Sequence, residues 1–202
     1  IGYVEGQNLA LEYRFADGKI ERFPGLINEL LRLDVDVIVL GGTPAALAAQ
    51  QATRTIPVVF TTVADPISVK LVSSLAHPGA NITGTTTINS ELTSKPLEVV
   101  KETIGRLSRA AFLYNPGDAS NIVSLKDLKI SAGTLKVAIE PVGVRRGEDF
   151  ERAFATTEGK GIDALIVAAG ALTDTYRKQI ITLAATSRMP AMYGERVFVE
   201  SG

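Results

Sequence analysis

The chain carries the same short module twice. The first copy begins with the apolar run at residues 35–40 and ends in residues 53–60, while the second begins at 162–167 and ends in 187–193. Each copy has the pattern of strand, small-residue loop, helix and strand, and an Arg and a Pro precede the second strand. This pattern predicts two similar α/β halves whose strand-end loops face each other. We expect a small ligand in the crevice between them.

Composition narrows the classes of partner. The chain has 202 residues, enough for one large or two small domains, and its 21 basic and 22 acidic residues give a net charge of −1. Such a balance predicts neither nucleic acid nor an anionic membrane as a partner. The absence of cysteine excludes disulfides, thiolate catalysis and zinc sites built from Cys. The sequence shows no signal peptide and begins on Ile1 without Met, so we interpret it as a processed, engineered or incomplete piece.

Strands and helices are predicted to alternate along the chain. Continuous apolar runs at 35–40, 57–60, 110–114 and 164–168 predict parallel strands covered on both faces. Further strands are predicted at 8–15, 82–88 and 136–142. Helical spacing of apolar residues predicts helices at 23–31, 122–135, 150–154 and 176–184, with helix starts at Pro44, Asp118 and Thr173–Asp174. The fold class is therefore α/β, with two Rossmann-like doubly wound lobes at residues 1–87 and 88–202.

Candidate ligand contacts in the first half lie on two loops that follow strands. Gly42, Thr43 and Pro44 open a helix, where free N–H groups suit an anion and the glycine lets the backbone come close. Thr62 and Asp65 follow the next strand, and Asp65 could pair with an amine or a hydroxyl. A tight turn at Thr43 and a turn or cap at Asp65 are the alternatives from ordinary loop chemistry.

Candidates in the second half lie on three loops. Asn115 and Asn121 belong to a polar loop suited to hydrogen bonding, although part of this loop also serves a turn and a helix cap. Gly170 and Thr173 form the counterpart of the first-half helix start. Tyr193 could stack on a ligand or belong to the core.

Motifs for catalysis are missing from the sequence. It has no GxGxxG, no GxxxxGK[ST] and no GxSxG, and its single histidine, His77, lies in a Pro-Gly turn. No pair of Asp or Glu is spaced for general acid–base work. We predict no catalytic residue, no metal and no cofactor; the loops are equipped to hold a ligand without transforming it.

Several segments together resemble a known family. They are GYVEGQN at 2–8, GGTPAALA at 41–48, IPVVF at 56–60, ADP at 64–66, PGANITG at 78–84, YNP at 114–116 and YGERVFVESG at 193–202. Their order resembles that of the ABC-transporter substrate-binding proteins related to the tryptophan/tyrosine-binding type, over nearly the whole chain. The resemblance implies a type I periplasmic binding protein fold, with ligand contacts on the loops of Gly42–Pro44, Asp65, Asn115–Asn121 and the strand ends of the second lobe.

The sequence departs from this family in three places. The family normally has a strand and a helix before Gly2 and a longer tail after Gly202. Pro96 falls inside an expected helix, which it would break or delay. The loop at 168–171 lacks the polar side chains of aromatic-amino-acid binders.

The resemblance implies the extracytoplasmic solute-binding component of an ABC importer, periplasmic or lipid-anchored, with a membrane permease as its partner. A carboxylate at Gly42–Pro44 and an amine at Asp65 would suit an amino acid, aromatic ones included. Two alternatives remain open at this point: the ligand-sensing domain of a bilobal transcription regulator, and an α/β enzyme with an unrecognised site.

Overall fold

A computed structural model describes residues 2–87 and 95–202. The first sheet contains β1 (Ile38–Gly41), β2 (Val58–Ala64) and β3 (Ile82–Thr87), and the second contains β4 (Arg109–Tyr114), β5 (Ala138–Gly143), β6 (Ala164–Val167) and β7 (Ala191–Tyr193). The helices are α1 (Phe23–Arg32), α2 (Thr43–Ala52), α3 (Lys95–Ile104), α4 (Ala119–Leu135), α5 (Asp149–Thr157), α6 (Ala171–Thr175), α7 (Arg177–Thr186) and α8 (Arg196–Glu200), with a short 3-10 helix at Ile20–Arg22.

Both sheets are parallel and separate from each other. The strand order is β1-β2-β3 in the first sheet and β5-β4-β6-β7 in the second, and every strand pair runs parallel. The predicted α/β class with two parallel sheets is thereby confirmed. The proposed boundary between residues 87 and 88 borders segment 88–94, which lies outside the described residues, so the boundary stays a prediction.

The core lies between the sheets and their helices. Three buried apolar clusters form it, one in the first half around Val58 and Phe60, and two in the second half on opposite faces of β4. Alternate residues of β4 point to opposite faces: Leu113 packs in one cluster and Phe112 in the other. The second sheet is thus covered on both faces, as its continuous apolar runs predicted.

The first sheet is only partly covered, which corrects that prediction for residues 35–40. Ile38 of β1 is 2% exposed, but its neighbour Val39 is 67% exposed. Because β1 is an edge strand and successive side chains point to opposite faces, only one face of β1 meets the α1–α2 layer. Within 2–87 and 95–202, no element buries Val39.

The predicted strand at residues 8–15 is wrong. This stretch shows only one isolated bridge, between Glu5 and Leu9, and Tyr13 and Phe15 are 60% and 70% exposed. A strand needs a neighbouring edge to satisfy its backbone groups, and the described residues offer it none. The strand predicted at 82–88 is confirmed as β3 over its described part, parallel to β2.

The helices begin where the sequence predicted, except that one helix begins two residues earlier. Asp118 caps α4, its Oδ1 accepting from the backbone N–H of Ser120 at 2.9 Å. Pro44 is the second residue of α2, a position where the missing N–H costs nothing. Pro96 lies in α3, which the structure describes from Lys95 onward. The helix predicted to start at Thr173–Asp174 begins two residues earlier, at Ala171, so Thr173 lies inside its first turn.

Candidate functional site

The loops that follow the parallel strands share one edge of each sheet. Gly42 follows β1, and its N–H donates to the carbonyl of Thr61 in β2 at 3.1 Å. Its φ of +84° lets the chain turn directly into α2, a conformation that costs little only for glycine. Thr43, the first residue of α2, is 2% exposed. These contacts join the strand ends of β1 and β2 into one rigid rim.

The end of β2 carries two residues in the left-handed region. Thr62 and Asp65 have φ values of +53° and +41°, and the register with β3 shifts between Phe60 and Val63. The carboxylate of Asp65 accepts from the backbone N–H of Ser68 at 3.1 Å and from the hydroxyl of the same serine. Asp65 therefore closes a turn with both of its oxygens.

The loop after β4 is organised by two asparagines. The N–H of Asn115 donates to Oδ1 of Asn121 at 2.9 Å, and Oδ1 of Asn115 accepts from the N–H of Gly117 at 2.8 Å. Both asparagines are buried. Asp118 is buried beside them, and loss of hydration raises the pKa of its carboxyl above the ordinary value, while its hydrogen bonds to Ser120 and Asn121 oppose the rise.

The loop after β6 is tied to the β4 loop and to its own helix. Nδ2 of Asn121 donates to the carbonyl of Ala169 at 2.9 Å. The hydroxyl of Thr173 hydrogen-bonds with the carbonyls of Ala168 and Gly170 at 2.8 and 2.9 Å. The loops after β4 and β6 together form the rim of the second half, and the polar groups of the β6 loop hold its backbone in place.

Tyr193 ends β7 and is partly buried. Its ring stacks on Phe198 of α8, with centroids 4.8 Å apart and planes 12° from parallel. Burial raises the pKa of the phenol above its ordinary value. The stacking fixes one side of the ring, and the residue also lines a cavity described below.

The two rims face each other, and a narrow space separates them. Pro44 and Ile20 from the first half line it, opposite Asn115, Asp118, Asn121 and residues 170–173 from the second half. Its volume is about 10 Å³, room for no more than one water molecule. The structure thus brings together Pro44, Asn115, Asn121, Gly170 and Thr173 in a contact too close for a ligand, and their role as ligand contacts stays a prediction.

A larger cavity of about 370 Å³ lies beside this contact. Its floor is apolar and comes from the second half, including Phe112, Leu128 and Ile166, while Ala64 contributes from the end of β2. Polar and charged groups line other parts of its wall: Lys95, Ser120, Asn121, Ser124, Tyr193 and Glu195. An apolar space with a few polar groups is typical of a small-molecule site.

A third space, also of about 370 Å³, lies between the two halves near the end of β5. Residues 18–21 of the first half line it together with residues 145–148, Leu172 and Tyr176 of the second. Its side chains are mostly charged. The same interface between the halves therefore contributes to all three spaces.

Sequence reasoning found part of the large cavity and missed the rest. Asn121 and Tyr193 line it, whereas Gly42, Thr43, Thr62 and Asp65 belong to the first-half rim outside its lining. The missed residues are the apolar floor, Lys95 and Ser124. Ser120 and Glu195 also line the cavity; they belong to the predicted ligand loops at 115–121 and 193–196, although neither was selected as a contact.

Asp174 is the most perturbed carboxyl group of the described chain. Burial, and after it the negative charge of Glu195, raises its pKa from the ordinary value of 3.8 to about 6, and Arg177 opposes the rise. Oδ1 of Asp174 is buried and has no hydrogen-bond partner among the residues that the structure describes. A strongly perturbed acid is a candidate functional group.

Within residues 2–87 and 95–202, no group of three or more His, Cys, Asp or Glu is placed to hold a metal ion. No helix in the same ranges is long and apolar enough to cross a bilayer.

Two parallel α/β sheets whose strand-end loops meet around shared cavities define a binding protein of the type I periplasmic fold. A profile of the family described as ABC transporter substrate binding protein matches residues 1–202. The chain belongs to the ABC transporter substrate-binding protein family.

Individual relatives agree with this assignment. The chain is 27% identical over 201 residues to the tyrosine-binding protein of Clostridioides difficile, and it spans 57% of that protein's length. A conserved domain protein from Vibrio cholerae is 29% identical with a TM-score of 0.91, covering 100% of this chain and 67% of its own.

Two other solved structures differ in their degree of likeness. The L-Trp complex of an ABC domain from Streptococcus pneumonia has a TM-score of 0.88 at 21% identity, over 100% of this chain and 67% of its own. The ligand-free, open structure of a substrate binding protein from Clostridium difficile has a TM-score of 0.54 at 25% identity. The match covers 98% of this chain and 66% of that protein's chain.

Proposed function

We propose that the chain forms the ligand-binding part of an extracytoplasmic solute-binding protein that delivers a small polar ligand to the permease of an ABC importer. The favoured ligand is an amino acid, with aromatic amino acids included, and it is bound without chemical conversion. Membership of the substrate-binding family supports the role, and the tyrosine-binding relative supports the ligand class. A periplasmic or lipid-anchored location belongs to the same proposal.

The observation that carries the proposal is the cavity of about 370 Å³ beside the contact between the two halves. Its apolar floor around Phe112 and Ile166 suits an aliphatic or aromatic side chain, and Lys95 and Glu195 offer opposite charges to a zwitterion. We propose Asn121 and Tyr193 as direct contacts. The other predicted residues would act by building the two rims: Gly42, Thr43, Pro44, Thr62, Asp65, Asn115, Gly170 and Thr173.

Binding energy in this fold is coupled to the approach of the two halves. A ligand favours the closed arrangement only by the additional contacts that it makes there. Ala64 of the first half and the floor of the second half line the same cavity, so a ligand inside it would touch both. This is the physical basis on which a permease could distinguish the loaded protein.

Native mass spectrometry for a co-purified ligand and a thermal-shift screen of amino acids test the proposal. A ligand at a hundred times its Kd stabilises a protein by about 2.7 kcal/mol, or roughly 5–10 °C for a chain of this size. Ser124→Leu places a larger side chain in the cavity and should abolish the shift. Ser131→Leu, on the same helix but outside the lining, is the matched control.

The result also separates the alternatives. Saturable stabilisation by an amino acid that Ser124→Leu removes supports the binding role. No stabilisation by any amino acid, sugar, purine or urea would contradict it and would favour the transcription-regulator or enzyme alternatives.

A further inference from the structure

We propose that residues 16–22 form a latch between the two halves, in which Ile20 is the contact residue and Gly18 permits the close approach. These residues, the latch turn, belong to the first half and lie against the second. Their contact favours the closed arrangement before any ligand is present. The inference rests on the proposed function only for its effect on ligand affinity, because the opening of the halves is measured without a ligand.

The latch turn is held in shape by its own hydrogen bonds. The N–H of Lys19 donates to the carbonyl of Ala16 at 3.0 Å, and the N–H of Arg22 donates to the carbonyl of Lys19 at 3.1 Å. The guanidinium of Arg22 donates to the carbonyl of Ala16 at 3.4 Å and pairs with Asp17. A short 3-10 helix closes the turn and leads directly into α1. The backbone therefore presents the side chain of Ile20 in a fixed position.

Two residues of the latch turn reach the second half. Cδ1 of Ile20 lies 3.8 Å from the position that a Cβ on Gly117 would take, in the loop after β4, and Ile20 also lines the narrow space between the two rims. A Cβ on Gly18 would lie 3.5 Å from Cβ of Thr175, the last residue of α6. Gly18 has a φ of +75°, which favours glycine, and its missing side chain leaves room for this approach.

The contact between the latch turn and the second half is made without directional bonds. In residues 2–87 and 95–202, the hydrogen bonds and ion pairs of the latch turn all end on the first half. Lys19 and Glu21 line the charged space near the end of β5, but neither forms an ion pair across it in the described part of the chain. Ile20 is partly buried, so separation of the halves returns its side chain to water.

The latch contributes to closure independently of the ligand. Burial of apolar surface is favourable in proportion to the area removed from water, so the contact of Ile20 stabilises the closed arrangement. Loss of this contact lowers the closed fraction of the ligand-free protein. The apparent affinity then falls by the same factor, because the ligand binds the closed arrangement. Ile20 is therefore a positioning residue: it acts on the approach of the halves and lies outside the lining of the large cavity.

A disulfide across the latch tests the contact in the ligand-free protein. The chain has no cysteine, so an introduced pair provides the only two thiols. The 3.5 Å between the two Cβ positions falls in the Cβ–Cβ range of a disulfide, roughly 3.5–4.5 Å. Gly18→Cys with Thr175→Cys should therefore oxidise within one molecule and leave no free thiol. Gly18→Cys with Thr186→Cys, whose threonine is exposed at the end of α7, has the same strain at Gly18 and should keep both thiols.

Distances between two spin labels, measured by electron paramagnetic resonance, report the opening of the halves. Asn28→Cys in α1 and Glu151→Cys in α5 place the labels at exposed positions, one on each half. Without further substitution, we expect mainly the distance of the closed arrangement. Ile20→Ala should lower the ratio of closed to open protein about fivefold or more, and Ile20→Val should lower it less. Ile67→Ala is the matched control, because Ile67 belongs to the same half, is 46% exposed and lines none of the three spaces.

Either of two results would overturn the latch: free thiols that persist in the pair of Gly18→Cys and Thr175→Cys, or an unchanged ratio in Ile20→Ala. Circular dichroism verifies folding, and the cysteine pair tests the latch without altering Ile20. The outcomes also distinguish the latch from the proposed function. A confirmed latch in a protein that no amino acid stabilises keeps the latch and overturns the amino-acid role. Saturable stabilisation by an amino acid, with an unchanged ratio in Ile20→Ala, keeps that role and overturns the latch.

Discussion

Nδ2 of Asn121 donates to the carbonyl oxygen of Ala169 at 2.9 Å and so joins the loops that follow β4 and β6. The same side chain accepts, through Oδ1, from the N–H of Asn115. One buried carboxamide therefore fixes the relative position of two strand ends that form the wall of the cavity. Rigid placement of these loops is what allows a small ligand to meet a preformed surface.

Asn121→Ala should lower the free energy of unfolding by about 2–4 kcal/mol, because a buried N–H and a buried carbonyl both lose their partner. Asn28→Ala, on the exposed side of α1, is the matched control and should change stability by less than about 0.5 kcal/mol. Urea denaturation measures both. Equal effects of the two substitutions would show that the Asn121 contacts do not stabilise the rim.

Asp174 should make the protein less stable as the pH rises from about 4 to 7. Its pKa of about 6 in the folded protein exceeds the ordinary 3.8, so the folded state binds the proton more tightly and loses this advantage as the group ionises. Since Asp174 is only partly buried and solvent screens its neighbours, we expect about 1 kcal/mol.

Asp174→Asn removes this ionisation and isolates its effect. The variant should be more stable than the wild type at pH 7, and the difference should vanish near pH 4. Thermal denaturation across this pH range measures the difference, with the exposed Asp36→Asn as the control. A difference that does not vary with pH would contradict the assignment.

Gly84→Ala should prevent stable folding. A Cβ at Gly84 would overlap the carbonyl oxygen and the ring of Phe60 in the neighbouring strand. The two strands cannot separate without breaking the sheet, so we expect a loss of several kcal/mol. The soluble yield and the unfolding midpoint measure it.

Gly133→Ala is the opposite case in α4, where a Cβ meets nothing within 4 Å. The reduced backbone freedom of alanine should stabilise the helix by about 0.5–1 kcal/mol. If both glycine variants behaved alike, the close contact between β2 and β3 would be contradicted.

Ile38 and Val39 are adjacent in β1 and should differ sharply in their response to substitution. Ile38→Ala removes a side chain that is 2% exposed and should cost about 2–4 kcal/mol. Val39→Thr changes a residue that is 67% exposed and should cost less than about 0.5 kcal/mol. Similar losses in urea denaturation would show that the outer face of β1 is covered in solution.

The sequence by itself determined the α/β class and most of the strands. The run at 164–168 and the Asp118 cap depend on local chemistry, since side-chain pattern and the next few residues decide them. The stretch at 8–15 has the composition of a strand, but a strand also needs a neighbour, and composition cannot supply one. Its outcome depended on the rest of the fold.

Only the tertiary structure decided which polar residues stabilise the loops through hydrogen bonds and which residues line the cavity. From the sequence alone, Asn115 and Thr173 could be either ligand contacts or ordinary loop residues. In the folded protein both side chains form hydrogen bonds with backbone groups of the rim. The cavity floor at Phe112 and Ile166 comes from strands that read simply as core. Phe112 and Ile166 are 54 positions apart in sequence, and they lie side by side because β4 pairs in parallel with β6. Local patterns fix secondary structure, whereas a site requires distant residues to share one place, which packing alone determines.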